Sequence, residues 1–175
     1  MDFRYWFLSA LVVTFLHWFN VGTTPPPKEI ILTGDWLFKT GDNRYWKNPA
    51  SLDTDWSFIR VPAAWEAQGY PDYDGLAWYR KHVQIPSDWQ KADGIYFDIG
   101  KIDDDDEVYV NGQLIGASSG WSTWRKYSVP MDIIKFDQDN VIAIRVNDSG
   151  GNGGLMEGPV KLKTGVITRT NIEEY

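Results

Sequence analysis

IYFDIGKIDDDDEVYVNGQLI, residues 95–115, is the stretch whose reading decides the fold. Ile95, Phe97 and Ile99 alternate with Tyr96 and Asp98, the two-residue period of a strand with one face buried and the other partly wet. Val108 and Val110 lead into Asn111-Gly112, and Gln113-Leu114-Ile115 follows. Asn-Gly between two β runs predicts a hairpin with a type I′ turn, whose two central residues both need positive φ. The same texture extends outward. Val141 to Val146 sets Ile142, Ile144 and Val146 on one side of a strand, and Trp78 to Ile85 forms another that Pro86 closes. Weaker strands are expected at 30–32, 36–39, 56–61 and 160–163. From Ile30 onward no long stretch carries a 3.6-residue apolar period. About eight short strands with aromatic-rich connections predict an all-β fold, an antiparallel two-sheet jelly-roll β-sandwich.

The composition agrees. Of the 175 residues 43% are hydrophobic and 15% aromatic, with 10 Trp, which supplies a core and excludes a disordered chain. Trp36, Trp56 and Trp78 are assigned to that core. The net charge of −7, with no lysine-rich run, argues against a nucleic-acid partner. With no Cys there is no disulfide, no Cys-ligated zinc, no thiol catalysis and no lipoprotein anchor.

Residues 5–19, YWFLSALVVTFLHWF, form an apolar run behind Arg4. Residues 1–22 therefore read as a signal peptide or, if uncleaved, as an N-terminal anchor, the one route by which a membrane becomes a partner. Residues 23–29, with three consecutive prolines, read as a stiff Pro-rich linker. Residues 30–163 form the domain and 164–175 a tail. Secreted or periplasmic localisation is the expectation.

Four blocks in order and spacing carry a family resemblance. They are Val61-Pro62-Ala63-Ala64-Trp65-Glu66 with Gly69-Tyr70, Asp74-Gly75 and Trp78-Tyr79-Arg80-Lys81; then Gly100-Lys101-Ile102-Asp103-Asp104 with Asp106 to Gly112; then Arg125 to Pro130; then Asn140 to Val146. Together they resemble the galactose-binding-like jelly roll, the sugar-binding domain of glycoside hydrolase family two, which also has a relative inside sialate O-acetylesterases. The resemblance implies a non-catalytic carbohydrate-binding or accessory domain, because in those enzymes the catalytic groups lie elsewhere. The alternative it leaves is a structural, docking subunit or remnant of a separately encoded hydrolase. Either way the implied partners are a carbohydrate and such a hydrolase.

Catalysis by this chain alone is disfavoured. A glycosidase needs two carboxyls about 5–10 Å apart, and the acidic run Asp103 to Glu107 alternates faces, so it reads as a solvated or structural turn. The (β/α)8 barrel of the family needs about 250 residues. No Gly-x-Ser-x-Gly occurs, and His82 is the single histidine outside residues 1–22. No cofactor is expected. A structural calcium, common in galactose-binding-like sandwiches, would fall near Asp103–Asp106 or Asn147-Asp148, although no spaced ligand motif names its ligands.

Sugar binding needs an aromatic plate and a few planar polar groups. Trp121 and Trp124 lie among Ser and Gly with Arg125 beside them, and form the first candidate surface. Trp65, Tyr73 and Asp74 form a second. Arg80 and His82 share a face of the strand that, by the resemblance, lends a polar side chain to a neighbouring barrel.

Overall fold

In the computed structural model, which describes residues 28–168, alternation and turn chemistry produce eleven strands: β1 (Glu29–Ile31), β2 (Gly34–Thr40), β3 (Ser57–Val61), β4 (Gly75–Gln84), β5 (Ile95–Asp103), β6 (Asp105–Val110), β7 (Gln113–Ser118), β8 (Trp124–Val129), β9 (Asp139–Asp148), β10 (Gly154–Glu157) and β11 (Lys161–Thr164). Helical structure among the described residues is confined to short 3-10 turns. All strand pairings are antiparallel. One sheet runs β3–β2–β4–β9–β6–β7; the other has β5 at its centre, with β8 along one edge and β11 and β10 along the other, and β1 outside β11. The expected two-sheet sandwich is the observed fold.

The expected N-terminal segment, and most of the linker, lie outside the described residues. Glu29 is not linker but the first residue of β1, and the tail gives Thr164 to β11. Two strands have no counterpart among those expected. In β8 the inward positions are Arg125, Tyr127 and Val129, so a charged residue breaks the apolar alternation that marks a strand. β10 is only four residues long.

The inner faces meet in one core. Trp36, Phe38, Ile59, Tyr79, Val108 and Ile144 from the six-stranded sheet face Phe97, Ile99, Leu155 and Leu162 from the other. Trp36 stacks on Phe97 across the gap, with centroids 6.4 Å apart and rings 8° from parallel. A second, smaller cluster sits on the outer face of the six-stranded sheet, where Trp56, Trp78, Tyr109 and Ala143 pack with Leu37 and Trp46. The connection from β2 to β3, residues 41–56, lies over that cluster. Trp56 and Trp78 are therefore buried as expected, but beneath a loop instead of between the sheets.

The hairpin forms where Asn111-Gly112 placed it. Val110 pairs with Gln113, and φ is 50° at Asn111 and 86° at Gly112. The Asn111 side chain donates to Ile133 O (2.8 Å) and accepts from Val141 N (3.0 Å), which ties the turn to β9. A Cβ at position 112 would meet only ordinary contacts, the nearest being Pro49 Cδ at 3.6 Å. The cost of Gly112→Val is then backbone strain, and it should be roughly 1–3 kcal/mol. An unchanged denaturant midpoint would show that the turn tolerates a branched residue there.

Candidate functional site

Residue alternation decides which side chains leave the core. On the outer face of the six-stranded sheet, pairing register lines them up in transverse rows. One row runs Phe58–Leu37–Arg80–Ala143–Tyr109–Leu114 across all six strands. The 41–56 loop covers its middle: Arg80 is fully buried and donates through Nε to Asp53 Oδ2 (2.9 Å), and through its terminal nitrogens to the carbonyls of Trp46, Asn48 (3.1 Å) and Ser51 (3.3 Å). Two further rows, Trp78–Arg145–Glu107–Ala117 and Leu76–Asn147–Asp105, lie nearer the other end of the sheet. There an open cleft of about 460 Å³ is lined by Leu76, Asp105, Glu107, Ala117, Arg145 and Asn147, with Asp106, Ser118 and Ser119.

The polar groups of this cleft fall into two sets. Arg145 is held by Asp42 through Nε and a terminal nitrogen (both 2.8 Å) and by Glu107 (3.0 Å). The hydrogen bonds from Arg145 hold Asp42 down at about 2. Burial pushes the Glu107 carboxyl up, but bonds from Arg44 and Tyr109 outweigh it and leave the group below its ordinary range. Asp106 points inward instead and pairs with Arg125 Nε (2.7 Å) and the Tyr127 hydroxyl (2.7 Å); burial raises its carboxyl despite both partners. By contrast, the Asp105 carboxylate, the Asn147 amide and the Ser119 hydroxyl have no hydrogen-bonding partner among the described residues.

The acidic run is thus no uniform solvated turn. Asp106 is only 4% exposed, in a buried ion pair, while Asp105 and Glu107 share the opposite face. Burial and a hydrogen bond with Asp104 push Asp103 up to about 6, and Ser149 donates to Asp104 and lowers it.

The eight residues picked from sequence are split among three places. Trp65 is fully buried at the end of the sandwich, where its Nε1 donates to Tyr73 O (3.1 Å). Tyr73 accepts from Gly41 N (3.2 Å) and donates to Leu76 O (2.7 Å), and Asp74 is exposed beside it. Arg80 is the strut of the 41–56 loop. His82, on the same face, lies between Asp139 (Nδ1, 2.6 Å) and Asp53 (Nε2, 3.0 Å). Burial disfavours its charged form, but the two carboxylates outweigh that and raise its pKa. Arg125 is fully buried and also donates to the carbonyls of Gly120 (3.0 Å), Thr123 and Asp104 (2.8 Å), so it shapes the β7–β8 turn from within. Trp124 is half-buried over Gly158, with the Lys101 ammonium 5.2 Å from its ring centroid. Trp121 is 65% exposed, two residues beyond Ser119 of the cleft. Trp65, Arg80 and Arg125 therefore offer no surface to a ligand. Residue type points to Trp65 and Arg125 and the family resemblance to Arg80, and burial with internal partners accounts for each.

In the loops expected to hold calcium, the Asp104, Asp106 and Asp148 side chains are engaged by other groups, while those of Asp105 and Asn147 are not. Among the described residues no group of three or more His, Asp or Glu side chains could hold a metal ion. Asp104 is engaged by Ser149 and Asp106 by Arg125 and Tyr127. Asp148 Oδ1 accepts from Gly150 N (3.0 Å), and its unpartnered Oδ2 is buried beside Gly153.

Two antiparallel sheets packed face to face, with a polar cleft on one outer face, define an all-β sandwich module. The sequence matches the β-galactosidase second all-β domain over residues 41–152, and the chain belongs to that family, within glycoside hydrolase family two. It is 25% identical over 132 residues to a β-glucuronidase of Formosa agariphila, a match covering 67% of this chain and 13% of that protein. The fold is similar to that of β-glucuronidase 2 of Bacteroides uniformis (TM-score 0.70, 22% identity, 79% of this chain and 18% of that one). It is also similar to that of the β-glucuronidase of Ruminococcus gnavus (TM-score 0.68, 18% identity, 79% and 29%). The chain spans a small part of each relative.

Proposed function

We propose that this chain serves as a non-catalytic carbohydrate-binding domain accessory to a family-two glycoside hydrolase, exported to the periplasm or outside the cell. The observation that carries the reading is the open cleft, with its unpartnered amide, hydroxyl and carboxylate and the exposed Trp121 in the adjoining turn. Sugar recognition uses such a combination of planar polar groups and an aromatic face. The carboxylates support binding over hydrolysis. A glycosidase presents one protonated acid to its substrate. Here Arg44 and Arg145 engage Glu107 and lower its carboxyl, and Asp106, raised by burial, is turned inward onto Arg125 and Tyr127.

The test is Trp121→Ala. Glycan binding by the purified protein on an array should fall to background, while stability shifts by less than about 1 kcal/mol, as exposed substitutions do. Retained binding would move the site away from this turn. A loss of roughly 3–5 kcal/mol, the cost of truncating a buried Trp, would make the indole structural. A docking role is the second reading. Leu52 and Phe58, 81% and 75% exposed, favour it as apolar side chains available to a hydrolase surface.

A further inference from the structure

We infer that the cleft takes a sugar bearing a cationic nitrogen, an amino sugar, and turns uronic acids away. This rests on the carbohydrate-binding reading and goes beyond it by naming the ligand's charge. Among the residues lining the cleft, Arg145 is the single cation and Asp105, Asp106 and Glu107 are the anions. Arg145 already faces two carboxylates, Asp42 and Glu107. Its charge is balanced, and the N–H groups left over suit neutral hydroxyls. Asp106 is occupied by Arg125, and Glu107 by Arg145 and Arg44. Asp105 is different. It has neither hydrogen bond nor ion pair among the described residues, and it is half-buried at the cleft wall.

A ligand carboxylate entering here meets no unbalanced cation and sits close to Asp105, which repels it. A ligand ammonium meets a carboxylate that lacks a partner, in a cleft whose partial burial weakens solvent screening. Charge-assisted hydrogen bonds are about twice as strong as neutral ones. The amide of Asn147 and the hydroxyl of Ser119 lie beside Asp105 in the same lining and can serve the ring hydroxyls.

The experiment is calorimetric titration of the purified protein, near about pH 6 where a sugar amine is protonated. Four oligosaccharides of equal length are compared: glucosamine, N-acetylglucosamine, glucose and glucuronate. The glucosamine oligomer should bind roughly tenfold more tightly than the acetylated and neutral ones, and the glucuronate oligomer should not bind. Asp105→Asn should remove that preference. Asp132→Asn, an exposed carboxylate on the turn before β9, should leave it intact and so exclude simple attraction to an acidic protein. Equal affinities for the amine and acetylated oligomers, tighter binding of glucuronate, or a preference that survives Asp105→Asn would each overturn the inference. If neutral oligomers bind as well as the amine and need Trp121, the charge assignment falls while carbohydrate binding stands. If none of the four binds, both fall. The acetylation comparison is made on the unaltered protein, so it holds whatever a variant does to folding.

Discussion

Arg125→Met should lower the unfolding free energy by roughly 3–5 kcal/mol, because it breaks one half of a buried ion pair and strands the other. The Arg125 and Asp106 side chains are both 0% exposed, 2.7 Å apart. Without the guanidinium, Asp106 keeps only the Tyr127 hydroxyl, the carbonyls of Thr123 and Asp104 lose the Arg125 donor, and that of Gly120 keeps only the Thr123 N–H. For a domain of this size the melting temperature should fall by roughly 6–20 °C. Two further readouts separate a stranded charge from lost packing. Adding Asp106→Leu should recover part of the loss, since the uncompensated carboxylate is then gone. The loss should also depend on pH. Burial already raises the Asp106 carboxyl, and removing Arg125 raises it further. A carboxyl raised in the folded state is compatible with folding while protonated, and stability is lost as pH rises through its folded pKa. The deficit should therefore shrink in acid and widen toward neutrality. A single variant within 1 kcal/mol of the parent, as for an exposed site, would show that the pair carries no net weight.

The two outcomes of reading the sequence trace to two kinds of information. Strand content was legible because it depends on neighbours in the chain. Ile95, Phe97 and Ile99 alternate inward, and Asn111-Gly112 supplies the two positive-φ residues of a two-residue hairpin. Trp36, Trp56 and Trp78, assigned to the core as large apolar rings, are all buried, although Trp56 and Trp78 lie beneath the 41–56 loop and not between the sheets. β8 was missed because its inward series begins with Arg125, and a buried arginine looks in sequence like a surface one. A signal did exist. The acidic run contains more carboxylates than one turn can use, and one of them needed a cation placed at an alternating position of another strand.

The cleft was illegible for a different reason. Leu76, Asn147 and Asp105 stand side by side only because β4, β9 and β6 pair in that register. Nothing local to any of the three marks them as neighbours. The candidate surfaces built from sequence relied instead on residue type, and type misled at Trp65, which the chain folds under the end of the sandwich. Its indole lies 5.7 Å from both Phe38 and Tyr73, centroid to centroid. Trp121 is the exception. Its Ser- and Gly-rich surroundings marked an indole outside the core, and it is exposed.

Arg80→Leu carries the other large expected effect, and it should differ in kind from the first. Arg80 spans the carbonyls of Trp46, Asn48 and Ser51 and the carboxylate of Asp53, all on the 41–56 loop, and its guanidinium carbon sits 5.7 Å from the Trp56 ring centroid. A fixed fork of donors is needed to reach so many acceptors at once, so Arg80→Lys should rescue little. Removing one partner of this buried network should cost roughly 3–5 kcal/mol if the loop stays closed. The loop can open locally instead. Asp42 on Arg145 and Trp78, and Arg44 on Glu107, still tie its first residues to the sheet, but the 46–53 part loses its main hold, and such opening costs less than global unfolding. Opening would bare Trp46, Trp56 and Trp78 and present Arg44 and Lys47 to a protease. Limited trypsin digestion under native conditions should then cut the variant within 41–56 while the sandwich persists, and the cut should be rare in the parent. The companion variant Arg125→Met should not show that cut at matched stability. If Arg80→Leu resists trypsin as the parent does and melts at the same temperature, the loop is held by its tryptophans and by the Asp42 and Arg44 contacts, and Arg80 is not its anchor.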